Sequence, residues 1–209
     1  MSGEKIDIFK LHKAEYKAGR KPIQVETTRG MYLAREGVGA PGGQVFVEAV
    51  ESLYAMAYTI KMGRKADGKG DYTIGKLEGI YWTADGADLV TTAAEKWCWR
   101  LMIRTPEIVD GFGISDDDLE VARERLRSKK KDKGTELVQL VYLAGSSCVQ
   151  MMHLGPYEKE YETLAVMQAF CAEELLTIHG DHHEIYLSDP RRVEAEKLKT
   201  ILRVSVRGG

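Results

Sequence analysis

Apolar and polar positions along this chain alternate with two different periods, and the switches between them outline its elements. PIQVETT and MYLAREG, at 22–28 and 31–37, read as two strands flanking the Arg29-Gly30 turn, which predicts a hairpin. From Val45 to Met62 the residues Val45, Ala49, Val50, Leu53, Ala57 and Ile60 recur at helical spacing, and apolar residues cover well over half the circumference. A substantially buried helix is expected there. The Gly- and charge-rich run GRKADGKGD ends it, and LEGIYWT and WCWRLMIRT follow as strands. In the second of these, Trp97, Trp99, Leu101 and Ile103 alternate with Cys98, Arg100, Met102 and Arg104, giving one apolar and one mixed face. Ser115 and Asp118 have capping-box spacing and open a helix reaching to about Lys131, whose basic end suits the negative pole of the helix dipole. LVQLVYLAG and SCVQMMHLG then read as strands joined by a Gly-Ser hairpin turn, followed by a helix from about Lys159 to Ile178 and two closing strands, HEIYLSD and TILRVSVR.

This order contains a repeat. Strand, Gly/Pro turn, helix, strand, strand occurs twice, and GIYW before WCWRLMIR matches EIYL before TILRVSVR. The expected fold is α+β: two tandem βαββ modules related by a pseudo-two-fold axis, about 31–104 and 147–207, joined by a connecting helix and strand. Their antiparallel sheet carries helices on one face and leaves the other for a central groove. The domain is expected over 22–209, preceded by a charged leader over 1–21.

Composition narrows the function. Thirty Lys and Arg against 32 Asp and Glu give a net charge of −2, which argues against a nucleic-acid-binding protein. The N-terminal residues hold no apolar stretch long enough for a signal peptide or membrane helix, so a cytoplasmic location and no membrane partner are expected. Cys98, Cys148 and Cys171 are widely spaced and suit reduced structural thiols. Ten Tyr and 3 Trp against 4 Phe favour surfaces where an apolar body must also present a polar tip.

Several constellations invite chemistry. Gly37 to Gly42 satisfies GxGxxG, but the preceding strand ends in Arg35-Glu36 and no further βαβ units follow, so a turn is the simpler reading. His179, Asp181, His182, His183 and Glu184 are rich in metal-ligand types, yet strand alternation puts His182 and Glu184 on one face and His183 on the other. No metal and no cofactor are assigned, and His183 reads as a satisfied core imidazole. Gly145-Ser146-Ser147-Cys148 lacks a nucleophile elbow, and Cys148 and His153 fall on opposite strand faces, so neither supports a nucleophilic centre. More informative is the closing strand: if Ile185 and Leu187 pack on the helices, Glu184 and Tyr186 face away from them. By the repeat, Tyr81 matches Tyr186 and Glu184 matches Gly79, which gives the groove a lone carboxylate. That carboxylate could pair with a cationic ligand, serve as a general base, or form a salt bridge to Arg191, Arg192 or Arg203. Tyr54, Tyr58 and Lys61 share one helical stripe, either at the core's edge or on the groove's rim.

The stretches ESLYAMAYTIKMG, LEGIYWTADG, WCWRLMIRTPEIV, VQMMHLGPYEKE and HHEIYLSDPRRVEAEKLKTILRVSVR together resemble the stand-alone GyrI-like small-molecule-binding proteins, from about Pro22 to the C-terminus. The resemblance implies tandem βαββ modules around a groove that receives planar aromatic or cationic small molecules, with a glutamate where Glu184 stands. It is nearest to the relatives that hydrolyse the strained ring of cyclopropanoid DNA-alkylating toxins. On that basis Glu184 is the expected catalytic residue. Tyr54, Tyr58, Tyr81, Trp82 and Trp99 are expected to bind ligand from the first half, and Tyr142, His153, Tyr157 and Tyr186 from the remainder. A non-catalytic binder that sequesters lipophilic cations through the same groove is the other reading.

Overall fold

The computed structural model describes residues 5–107 and 113–208. Its elements are α1 (Ile8–Leu11), β1 (Ile23–Glu26), β2 (Gly30–Val38), α2 (Gln44–Ala66), β3 (Leu77–Thr83), β4 (Trp97–Thr105), α3 (Asp116–Ser128), β5 (Gln139–Leu143), β6 (Ser147–Leu154), α4 (Glu160–Glu173), β7 (Leu176–Tyr186) and β8 (Lys199–Gly208). All eight strands join one antiparallel sheet in the order β1-β6-β8-β7-β3-β4-β2-β5. This is an α+β fold in which β2-α2-β3-β4 and β6-α4-β7-β8 form the two βαββ modules, meeting along the β3–β7 seam.

Alternation along the strands sets two faces. Leu33, Trp99, Leu101 and Ile103 pack beneath α2 and α3 in the larger core, and Val149, Met151, Leu202 and Val204 pack beneath α4 in the smaller one. Both modules therefore carry their helices on the same face. The capping box at α3 forms as its sequence predicts, Ser115 accepting from the Asp118 backbone N–H. α2 is less enclosed than its apolar circumference suggests: Ala49, Leu53, Met56, Ala57 and Ile60 are buried, whereas Val45, Val47, Tyr58 and Met62 are exposed.

Neither expected hairpin forms. β1 and β2 are successive stretches of one bent segment, β5 and β6 of another, and the segments pair with each other, β1 with β6 and β2 with β5. At the bend Thr27 N–H donates to the Ser146 carbonyl at 2.9 Å, and Ser146 N–H returns a bond to Thr27 Oγ1 at 2.9 Å. A side chain at Gly145 would place its Cβ 2.4 Å from the Thr27 carbonyl oxygen. Glycine is what allows the two backbones to cross so closely. The last helix also ends earlier than expected: Leu175 turns at φ 55 and Leu176 to Ile178 pair with Val206 to Gly208 as the start of β7.

The segment before β1 covers the helix-free face. Tyr16 Oη donates to Glu78 Oε1 at 2.6 Å, Arg104 Nη1 to Glu15 Oε2 at 2.7 Å, Gln150 Nε2 to the Ala14 carbonyl at 2.9 Å, and Met152 N–H to the Gly19 carbonyl at 2.8 Å. These partners lie on strands of both modules.

Candidate functional site

Gly79 and Glu184 are equivalent in the repeat and are also direct partners across β3 and β7. The pseudo-two-fold axis passes through this pair, so the seam is where the two modules can present one shared site. Tyr81, His182, Glu184 and Tyr186 alternate onto the helix-bearing face, between α2 and α4. This reverses the face predicted for Glu184 and Tyr186: Leu202, opposite Glu184, packs under α4, while Ile185 is buried on the other side. Alternation misled because the N-terminal segment covers the helix-free face, so the buried apolar residue of β7, Ile185, lies there while the helix-bearing face buries Glu184.

Glu184 is held at the floor. It is 8% exposed, and His182 Nε2 lies 3.1 Å from its Oε1. Burial alone would raise its pKa, but hydrogen bonds and charge from His182, with further hydrogen bonds from Tyr186 and Glu160, bring it below the usual value. None of the arginines predicted as salt-bridge partners reaches it: Arg191 and Arg192 pair with Asp189, and Arg203 bonds Gln150 on the opposite face. The Tyr81 and Tyr186 hydroxyls share a short hydrogen bond beside it. That contact depends on Gly79, where an added Cβ would lie 2.7 Å from the Tyr81 ring. Burial and the Glu184 charge hold both phenols well above their ordinary pKa, so they stay protonated as donors.

Aromatic rings flank this cluster. Tyr157 stands edge-on to Tyr186 at 5.8 Å between centroids, and Trp97 edge-on to Tyr81 at 6.1 Å. Burial and the charges of Glu160 and Glu184 push the Tyr157 phenol up to about 12. From the start of α4, Glu160 brings a second carboxyl to Glu184, and burial followed by the negative charge of Glu184 drives its pKa far above the carboxylate range. One ligand atom from each of Glu160, His182 and Glu184 lies within 4.8 Å of the others, making these the described residues that could hold a small cation.

Of the residues read from sequence, Glu184, Tyr81, Tyr157 and Tyr186 come together. Tyr54 and Tyr58, 6.3 Å apart on α2, lie at the rim, where Asp189 and Arg191 act electrostatically on Tyr54. Lys61 on the same stripe instead pairs with Asp71. Trp99 is fully buried in the core, its Nε1 donating to the Gly39 carbonyl at 3.0 Å and its ring occupying the space a side chain at Gly37 would need. Trp82 alternates to the opposite face. Tyr142 is exposed on β5, separated from β3 by β2 and β4. His153 is buried against Thr163 at 2.9 Å and the Pro156 carbonyl at 3.1 Å, which fixes the approach to α4. Sequence reasoning missed Glu160 and Trp97 as site residues; it put His182 on the same face as Glu184, as the structure does, and their third companion comes from a helix, which strand alternation cannot reveal.

His183 is a paired imidazole, its Nε2 2.9 Å from Glu78 Oε2. A cavity of about 190 Å³ opens on that opposite face, lined by Glu15, Thr28, Tyr32, Cys148, His183 and Arg203 among others. Of its charged groups, Glu15 pairs with Arg104, His183 with Glu78 and Arg203 with Gln150. At the seam, by contrast, Glu160 Oε1, His182 Nδ1 and Thr200 Oγ1 are buried polar atoms without a hydrogen-bond partner. This cluster on the helix-bearing face of the β3–β7 seam is therefore the candidate site.

The sequence pattern of the GyrI-like small molecule binding domain matches residues 23–207. The chain belongs to the GyrI-like family. Its GyrI-like domain is similar to a conserved protein from Listeria innocua at 40% identity and a TM-score of 0.87, covering 97% of this chain and 100% of that one. A hydrolase from the same organism is 39% identical with a TM-score of 0.86, over 98% of this chain and 100% of that one. The C-terminal domain of EcmrR, at 7% identity and a TM-score of 0.60, covers 90% of this chain and 98% of its own and shares the fold. No curated protein matches the sequence. Among the described residues no helix is long and apolar enough to cross a membrane.

Proposed function

We propose that this GyrI-like protein is a hydrolase that takes flat, hydrophobic or cationic polycyclic molecules into the groove and opens the cyclopropane ring of cyclopropanoid DNA-alkylating toxins. The observation that carries the reading is the pairing of an ionised carboxylate, Glu184, with the protonated Tyr81 and Tyr186 hydroxyls on one aromatic floor. Its similarity to a Listeria innocua hydrolase supports the reaction type. In the proposed reaction a water oxygen bonds to the cyclopropane methylene while Glu184 removes one water proton. The ring carbon–carbon bond breaks, and its electron pair passes through the conjugated ring to the carbonyl oxygen. That oxygen takes its proton from the Tyr81–Tyr186 pair, which Glu184 then replenishes. Charge stabilisation and positioning carry the rate, because ring strain already favours opening.

The aromatic walls around one carboxylate also suit a non-catalytic binder of planar cations. Single-turnover incubation with a duocarmycin-type compound separates the two. Ring-opened product from the wild type, with the rate lowered about 100-fold or more in Glu184→Gln, supports the hydrolase. Tight binding with no product from either protein leaves the binder.

A further inference from the structure

Two orphaned oxygens lie at the corner where α4 meets the β7–β8 pair. Glu160, from the first turn of α4, is 7% exposed, and its Oε1 has no hydrogen-bond partner. Thr200 of β8, directly across from Tyr186 on β7, is 1% exposed; its hydroxyl stands beside the Glu160 carboxyl, outside hydrogen-bonding geometry and with no other partner. Buried polar groups are nearly always satisfied, so oxygens left open together at one corner point to a further partner.

The neighbours make that partner a cation. Glu160 and Glu184 each bring a carboxylate oxygen, and His182 a ring nitrogen, within 4.8 Å of one another. Among the described residues neither carboxyl forms an ion pair with a lysine or arginine; Glu184 meets only His182 in this way. His182 Nε2 and Glu184 Oε1 are 3.1 Å apart. A tetrahedral ion with bonds of about 2.0–2.2 Å sets neighbouring ligand atoms about 3.3–3.6 Å apart, so these two need little movement to share one. Mixed imidazole and carboxylate donors suit a borderline transition dication, whereas Mg²⁺ and Ca²⁺ take oxygen ligands and more of them.

We propose that Glu160, His182 and Glu184 form a site for one dication of the Zn²⁺ class, with the Thr200 hydroxyl orienting the Glu160 carboxylate from behind, and that this ion and the cyclopropanoid compete for Glu184. The competition rests on the hydrolase function proposed for this cluster; the metal site does not. Two carboxylates neutralise a dication, which removes the negative charge that draws a cationic ligand and withdraws the Glu184 lone pair from water. Strand alternation supplies two of the ligands from β7, and α4 supplies the third.

Calorimetric titration of the chelator-treated protein with Zn²⁺, and its visible spectrum with Co²⁺, test the site. The expected wild type binds one equivalent and gives the intense cobalt absorption of a low-coordinate ion. Glu160→Gln and His182→Ala are each expected to weaken Zn²⁺ about 100-fold or more and Thr200→Val about tenfold, while His179→Ala, at an exposed position of the same strand, leaves it unchanged. Absence of stoichiometric binding, full affinity in Glu160→Gln, or loss of affinity in His179→Ala overturns the site. If the cluster variants do not fold, the cobalt-loaded wild type decides: paramagnetic shifts of the His182 ring protons support the site, and shifts confined to other histidines overturn it. Single-turnover ring opening with and without saturating Zn²⁺ tests the competition. Loss of ring opening that a chelator restores is expected, and an unchanged or faster reaction overturns the competition. A protein that binds the ion at this cluster but opens no ring with or without it defeats the hydrolase function and the competition together, while the metal site stands.

Discussion

The hydroxyl contact between Tyr81 and Tyr186 exists because position 79 has no side chain. Gly79→Ala would drive a methyl into the Tyr81 ring, whose Cε2 and hydroxyl lie 2.7 and 2.8 Å from the ideal Cβ position. Tyr81 is 1% exposed and cannot swing freely, so the substitution is expected to cost about 1–3 kcal/mol and to displace the phenol. Chemical denaturation reads the first effect, and loss of ring opening at full ligand saturation reads the second. An unaltered variant in both assays would show that the ring relaxes at no cost. From sequence, Tyr81, Tyr186 and the Gly79–Glu184 correspondence were all legible through the repeat. Trp99 was not separable from a ligand-stacking residue, because alternation assigns it to the apolar face and cannot tell core from groove on that face. Glu160 was hidden because its partner lies on another element.

At the scale of elements, the segment over residues 12–19 behaves as a strap. Burial alone would raise the Glu15 pKa, but the His12 hydrogen bond, the Arg104 charge and the Thr28 hydrogen bonds bring it down to about 2 from 4.5. A folded-state pKa below the unfolded value stabilises the protein above the unfolded pKa, and the contribution disappears as pH falls through the folded one. Glu15 should therefore contribute fully above about pH 5 and lose its effect toward about pH 2. Glu15→Gln is expected to lower stability at neutral pH by about 3 kcal/mol and to flatten the acid limb. Denaturant midpoints measured from neutral to acid pH would show it; parallel curves for the two proteins would remove the assignment. The sequence read this strap as a charged leader because its partners, Glu78, Arg104, Gln150 and Arg203, are distant along the chain. Charge patterning reports composition, not who will bury whom.

Across the whole molecule, the repeat made two modules legible, yet adjacent runs such as PIQVETT and MYLAREG pair with other strands. Local turn signals favour hairpins, whereas here the bend between Thr27 and Ser146 carries each segment from one module to the other. The proposed ligand site lies across the seam of these modules, so a ligand touching both is expected to stabilise the fold as a unit. At 100 times its dissociation constant the gain is about 2.7 kcal/mol, or roughly 5–11 °C in melting temperature for a chain of this size. A thermal-shift titration with a bound cyclopropanoid or planar cation would register it, and Glu184→Gln should need more ligand for the same shift.

The strap also determines how a ligand can enter. Glu15 alone reaches both modules, with its carboxylate on Arg104 of β4 and its carbonyl oxygen accepting from Arg203 of β8. Fastened from behind in this way, the seam has little freedom to gape or clamp, and the walls stand ready before anything arrives. Association should then be a single step whose observed rate climbs in proportion to ligand concentration without levelling off, and discrimination among ligands should reside in how long each one stays.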